Sequence, residues 1–138
     1  MEKKNIFGEN FVKNNKEKIE LVINGIKNKL VKKYKLKRGE NNIQIIVKDK
    51  LINLKDMFKG CRILKNIDEL KYLDTKDITD FSHMFDGCSS LSDIKSLENW
   101  NVSNGTNFSY MFSSCSFLSD IKSLEKWNVS KSLLKNIK

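Results

Sequence analysis

Proline is absent from this 138-residue chain, histidine occurs once and cysteine three times. Without proline, chain reversals fall to the six glycines and to Asn, Asp and Ser, which bond their own backbone at turns. The single histidine, His83, has no Cys or acid constellation around it in sequence and reads as a surface residue. Zinc sites use close CxxC or CxxH pairs, whereas Cys61, Cys88 and Cys115 stand 27 residues apart. They read as a column of small buried hydrophobes, and an odd cysteine count suits free thiols in a reducing compartment. No apolar run approaches the ~20 residues of a membrane span, and the opening Met1–Phe11 has no signal-peptide core. A cytoplasmic location is therefore expected. There is no glycine-rich phosphate loop, HExxH or GxSxG, so neither catalysis nor a cofactor nor a metal is expected.

Charge is plentiful and unevenly placed. Of the net +9, residues 1–50 carry 14 basic against six acidic residues (+8), and residues 51–138 carry 12 against 11 (+1). A basic segment of that kind attracts phosphate backbones, anionic lipid or acidic proteins by long-range steering, or simply keeps the surface solvated.

Self-comparison exposes a repeat. Met57-Phe58-Lys59-Gly60-Cys61 returns as Met84-Phe85-Asp86-Gly87-Cys88 and as Met111-Phe112-Ser113-Ser114-Cys115, a step of 27 residues. The same shift aligns Leu64, Leu91 and Leu118; Ile67, Ile94 and Ile121; Leu70, Leu97 and Leu124; Leu73, Trp100 and Trp127; and Leu54, Phe81 and Phe108. An apolar residue at every third position from Leu91 to Trp100 fits neither strand nor α-helix and predicts a coil turning corners. Phe108, Met111, Phe112 and Cys115 follow an i, i+3, i+4, i+7 pattern, which predicts a short helix. In the preceding repeat Thr79, Asp80 or Ser82 would cap that helix and Gly87 would end it. Each repeat is then a short strand and a helical turn, with stacking supplying the core. Four Asn-x-Ser/Thr triplets begin at Asn101, Asn104, Asn107 and Asn128. They read as corner-formers that bond their own backbone, with glycan acceptors as the alternative in an exported protein.

The sequence Trp100-Asn101-Val102-Ser103-Asn104, with Phe108-Ser109-Tyr110-Met111-Phe112 and Met84-Phe85-Asp86-Gly87-Cys88-Ser89-Ser90-Leu91, resembles the BspA-like leucine-rich repeats of the mycoplasma-lipoprotein type. The resemblance covers about residues 51–138. Tyr72-Leu73-Asp74 departs from the expected Trp-Asn, and Gly105 stands where Val is expected. It implies a right-handed solenoid and a surface or interaction protein. The fold class expected is thus an α/β repeat, a short leucine-rich-repeat solenoid with a small β-rich N-terminal cap.

Residues 1–50 would form that basic cap. Asn24-Gly25 between Ile19–Ile23 and Ile26–Val31 predicts a hairpin, Asn42–Val47 a third strand, and Glu9–Lys18 a short helix. The three strands would cover the open edge of the first repeat in 51–138. At the other end, a further shift of 27 takes Phe108 to Lys135 and Met111 to Lys138, predicting lysines that stop further stacking.

The function expected is a non-catalytic protein–protein interaction module. Its partner-facing ladders would include Asp93 and Asp120 (with Asn66), Lys95 and Lys122 (with Asp68), and Glu98 and Glu125 (with Lys71). One alternative is a basic accessory protein of a ribosome or other nucleic-acid assembly, acting through Lys27, Lys29, Lys32, Lys33, Tyr34, Lys35, Lys37 and Arg38. Another, implied by the family resemblance, is a cell-surface adhesin fragment.

Overall fold

A computed structural model describes residues 2–138. The N-terminal third holds all the regular strands and the α-helix: β1 (Lys4–Asn5), α1 (Glu9–Asn15), β2 (Ile19–Ile23), β3 (Ile26–Lys29), β4 (Lys33–Tyr34) and β5 (Ile43–Val47). Alternating Ile19, Leu21 and Ile23 are buried while Glu20 and Val22 are half-exposed, so β2 presents one face to the core. Asn24 (φ 49°) and Gly25 (φ 83°) supply the two positive φ values that a tight two-residue hairpin needs. The predicted third strand is present and pairs antiparallel with β2, giving the order β3-β2-β5, and β1 pairs antiparallel with β4 in a separate two-stranded ribbon.

The expectation of an α/β leucine-rich-repeat solenoid is corrected by the structure. The fold is β-rich with one helix and two small antiparallel sheets. Residues 51–138 contain neither the predicted helices nor the predicted strands. They hold short 3-10 turns (Asp68–Tyr72, Lys95–Leu97, Lys122–Leu124, Lys131–Leu134) and two isolated parallel bridges, Asn53–Asp80 and Asp80–Asn107. The reason lies in the backbone. Asp56, His83 and Tyr110 have φ of 54° to 61°, and Gly60, Gly87 and Ser114 have φ of 57° to 82°. A left-handed residue at two places in each 27-residue period stops any α-helix after one turn. Phe108, Met111 and Phe112 therefore lie on turns, closed by the Met111 N–H donating to the Phe108 carbonyl (3.3 Å), and not on the predicted helix. Asp80, named as a candidate helix cap, instead accepts the backbone and hydroxyl groups of Ser82 (2.9 and 2.6 Å).

The sequence period persists as a spacing of backbone hydrogen bonds. Leu54, Asp56, Phe58 and Gly60 donate to the carbonyls of Asp80, Ser82, Met84 and Asp86, and Phe81, His83, Phe85 and Gly87 donate to Asn107, Ser109, Met111 and Ser113, all at 2.7–3.1 Å. Phe58, Phe85 and Phe112 stack successively at 5.6 and 5.4 Å between centroids. Phe7 continues that stack from the N-terminal segment, 5.5 Å from Phe58 and 5.7 Å from Phe11. One contiguous apolar cluster runs from Ile6 to Ile137.

Residues 53–57 also receive polar contacts from α1 and the residue before it. The Gly8 N–H donates to the Met57 carbonyl (2.9 Å), and the Asn10 amide reaches Asp56 (2.8 Å) and that of Asn15 the Asn53 carbonyl (3.3 Å). A Cβ at Gly8 would sit 1.9 Å from the Asp56 carbonyl oxygen, so this approach requires glycine.

The lysine-terminated end is also corrected. The Ile137 N–H donates to Leu134 as Met111 does to Phe108, and Phe112 donates to Ile137 as Phe85 does to Met111. Ile137 is buried and Leu134 packs on the core, while Lys135 and Lys138 stay exposed. The last segment is one residue short of the period, so a fixed shift of 27 names the wrong residues there.

Candidate functional site

The predicted basic run does not form one surface. Lys27 and Lys29 lie on the edge strand β3, and Lys32 approaches Glu9 at 4.0 Å. Lys33 is on β4 opposite Asn5, and Lys35, Lys37 and Arg38 are exposed on the loop that leads to Gly39. Tyr34 packs half-buried against the core. Beside β3, the Lys48 ammonium hydrogen-bonds Glu20 at 3.0 Å, and that contact with its charge, aided by Lys27, holds the Glu20 carboxyl below the ordinary range.

Lys33 instead joins residues that no sequence pattern groups. With Lys3, Lys4 and Arg62 it lines an open cleft of about 450 Å³, whose other walls are Asn5, Gly60 and Ile63. No carboxylate is among the described residues that line it. The two-residue pairing of β1 with β4 brings Lys3 and Lys4 to Lys33, and a strand that short leaves no pattern to read. A second cleft, lined by Lys16, Lys27, Lys29, Lys48, Glu17 and Glu20, is mixed in charge.

Among the predicted ladders, one column is occupied by turn-formers. Asn66, Asp93 and Asp120 each accept the backbone N–H two residues on, at Asp68, Lys95 and Lys122, at 2.8–3.0 Å. Each carboxylate or amide so fixes the start of a 3-10 turn. Lys95, Lys122 and Glu125 are exposed, and Glu98 approaches Lys126 at 3.9 Å. Two of the triplet asparagines behave similarly, Asn101 accepting from the N–H and hydroxyl of Ser103 and Asn107 from those of Ser109, while the Asn104 amide donates to the Lys76 carbonyl. The indole N–H groups of Trp100 and Trp127 donate to the carbonyls of Leu70 and Leu97 at 2.8 and 2.9 Å, so both rings belong to the core.

The cysteines form a buried column of free thiols. Cys88 donates to the Phe58 carbonyl (3.2 Å) and Cys115 to that of Phe85 (3.1 Å). Burial pushes Cys115 up to about 11 and Cys61 to about 12, and Cys88 higher still. Such thiols stay protonated and are poor nucleophiles. His83 Nδ1 lies 2.8 Å from Asp86 Oδ2, and its ring stacks on Tyr110 with centroids 5.2 Å apart. Among the described residues no group of three His, Cys, Asp or Glu is placed to hold a metal. No described helix is long and apolar enough to cross a membrane.

Residues 29–136 match the model of a family described as "Mycoplasma protein of unknown function, DUF285". The chain belongs to that family. The DUF285 segment starts within β3 and takes in β4, β5 and the periodic region as far as residue 136, so Lys33 and Arg62 of the cationic cleft lie inside it and Lys3 and Lys4 outside. No curated protein and no solved structure matches the chain.

Proposed function

We propose that this chain is a non-catalytic binding module whose periodic region, residues 51–138, takes a protein partner. The observation that carries the reading is the exposure of large side chains on an almost neutral surface. Tyr72 is 73% and Phe117 69% exposed, amid exposed charges of both signs such as Lys95, Lys122 and Glu125. Aromatic side chains exposed among mixed charges, with the Lys71 ammonium 5.1 Å from the Tyr72 ring centroid, suit a protein interface, where Tyr and Phe are enriched. The finer likeness to BspA-like leucine-rich repeats, carried by Trp100–Asn104 and Met84–Leu91, supports the same reading, since those proteins are mostly surface or interaction proteins. The three free thiols support a reducing, cytoplasmic setting.

A native pull-down with nuclease treatment tests the proposal. A discrete protein should be retained at near-stoichiometric level after nuclease and lost with Tyr72→Ser/Phe117→Ser. Retention unchanged by that double variant would contradict it.

The cationic cleft favours a second reading, a basic accessory protein that binds nucleic acid. Lys3, Lys4, Lys33 and Arg62 with no acid among them can follow a phosphate backbone. Under this reading capture is lost on nuclease treatment, falls steeply with salt, and fails when Lys33 and Arg62 are changed to Glu.

A further inference from the structure

The three-stranded sheet has two unlike edges. On β5 the hydrogen-bonded positions are fixed by the Asn24 N–H donating to Asn42 (2.8 Å) and the Lys48 N–H donating to Lys18 (2.7 Å). Alternation then turns the N–H and C=O groups of Gln44 and Ile46 toward β2, and those of Ile43, Ile45 and Val47 away from it. β5 pairs with β2 alone, and no described group bonds these outward N–H and C=O groups. The strand itself, Ile43-Gln44-Ile45-Ile46-Val47, has no charge and no proline, and Ile46 and Val47 are 40% and 43% exposed. On the opposite edge the outward residues of β3 are Lys27 and Lys29. Lysines are a usual guard of an open edge, and β5 has none.

We infer that the β5 edge pairs antiparallel with the same edge of a second copy of this chain, about a two-fold axis through Ile45. The register follows from the outward groups. Ile45 faces its own counterpart, and Ile43 faces Val47 at either side, each as a hydrogen-bonded pair. The side chains of these residues share the face of Ile19, Leu21 and Ile23, so the seam extends the buried apolar face and covers Val47. Charge fits the same register. Directly beside the strand the same register sets Asn42 against Lys48, so no two like charges meet at the seam. Self-pairing of β3 would instead set Lys27 against Lys29, and pairing of β3 with β5 would not close. The inference stands apart from the protein-partner proposal, which uses a different surface.

Sedimentation equilibrium of the full chain tests it. A reversible monomer–dimer equilibrium is expected, with no larger species. Ile45→Pro removes one outward N–H and none that bonds β2, so it should weaken dimerisation by at least roughly tenfold with the monomer's circular dichroism retained. Should that variant misfold, Val47→Lys places a charge on the seam and is expected to act alike. A chain that stays monomeric up to about 1 mM overturns the inference and leaves the edge to a foreign strand or to none. A dimer indifferent to both Ile45→Pro and Val47→Lys overturns it in favour of another face.

Discussion

At the scale of single residues, polar side chains that look available for recognition are engaged in holding backbone. Asp93 and Asp120 accept the N–H groups that open 3-10 turns, so Asp93→Ala should cost about 1 kcal/mol of stability by urea denaturation. It should leave partner capture unchanged at saturating concentration. The thiols are similarly committed. An unfolded cysteine titrates near ~8.5, whereas Cys115 and Cys61 titrate at about 11 and 12 and Cys88 higher still, because burial disfavours the thiolate. Stability from these groups is present in full below the unfolded value and falls as the pH rises toward the folded ones, since the unfolded chain then binds fewer protons. Denaturation midpoints should therefore decline from about pH 8.5 upward, and a Cys61→Ala/Cys88→Ala/Cys115→Ala chain should lose that decline. A thiol reagent should label the native chain slowly and the denatured chain at once.

At the scale of elements, what was legible in the sequence and what was not divide along backbone conformation. The hairpin at Asn24-Gly25 and the third strand were readable because both signals are local: a turn that needs positive φ, and an alternating β-rich run. The buried cysteine column was readable because its spacing excluded ligation. The helix expected over Phe108–Cys115 was not there, because hydrophobic spacing reports which side chains point inward and is blind to the sign of φ at Tyr110 and Ser114. Glycine at 60 and 87 was the available signal, and Ser114 hid it in the third copy. The lysine columns at 135 and 138 were misread because one missing residue shifts the register. The cationic cleft was invisible, since it joins Lys3 and Lys4 to Arg62 through a two-residue strand. The positive-φ column yields a direct expectation. Ser114 is exposed at φ 57°, with glycine at both equivalent positions, so Ser114→Gly should stabilise the chain by about 0.5–1 kcal/mol in chemical denaturation. Gly87→Ala, at φ 82° and against Gly60, should destabilise it by about 1–2 kcal/mol.

At the scale of the whole molecule, the basic N-terminal third and the near-neutral periodic region share one core. Phe11, Phe7, Phe58, Phe85 and Phe112 form a continuous stack, and β2 contributes Ile19, Leu21 and Ile23 to the same cluster. The charge asymmetry between the two regions therefore divides the surface and leaves the interior undivided. On the proposed readings, recognition would fall to side chains that the framework does not use, the exposed aromatics on one part and the lysines on the other. That division rests on the two parts folding as a unit. Both tryptophans, Trp100 and Trp127, lie in the periodic region, so their fluorescence reports on it alone. Amide exchange at Leu21 and Ile23 reports on β2. Followed together through a urea titration, the two signals should change at one midpoint with one slope. Loss of the tryptophan signal while the β2 amides remain protected, or the reverse, would contradict a single core and with it this account of the chain.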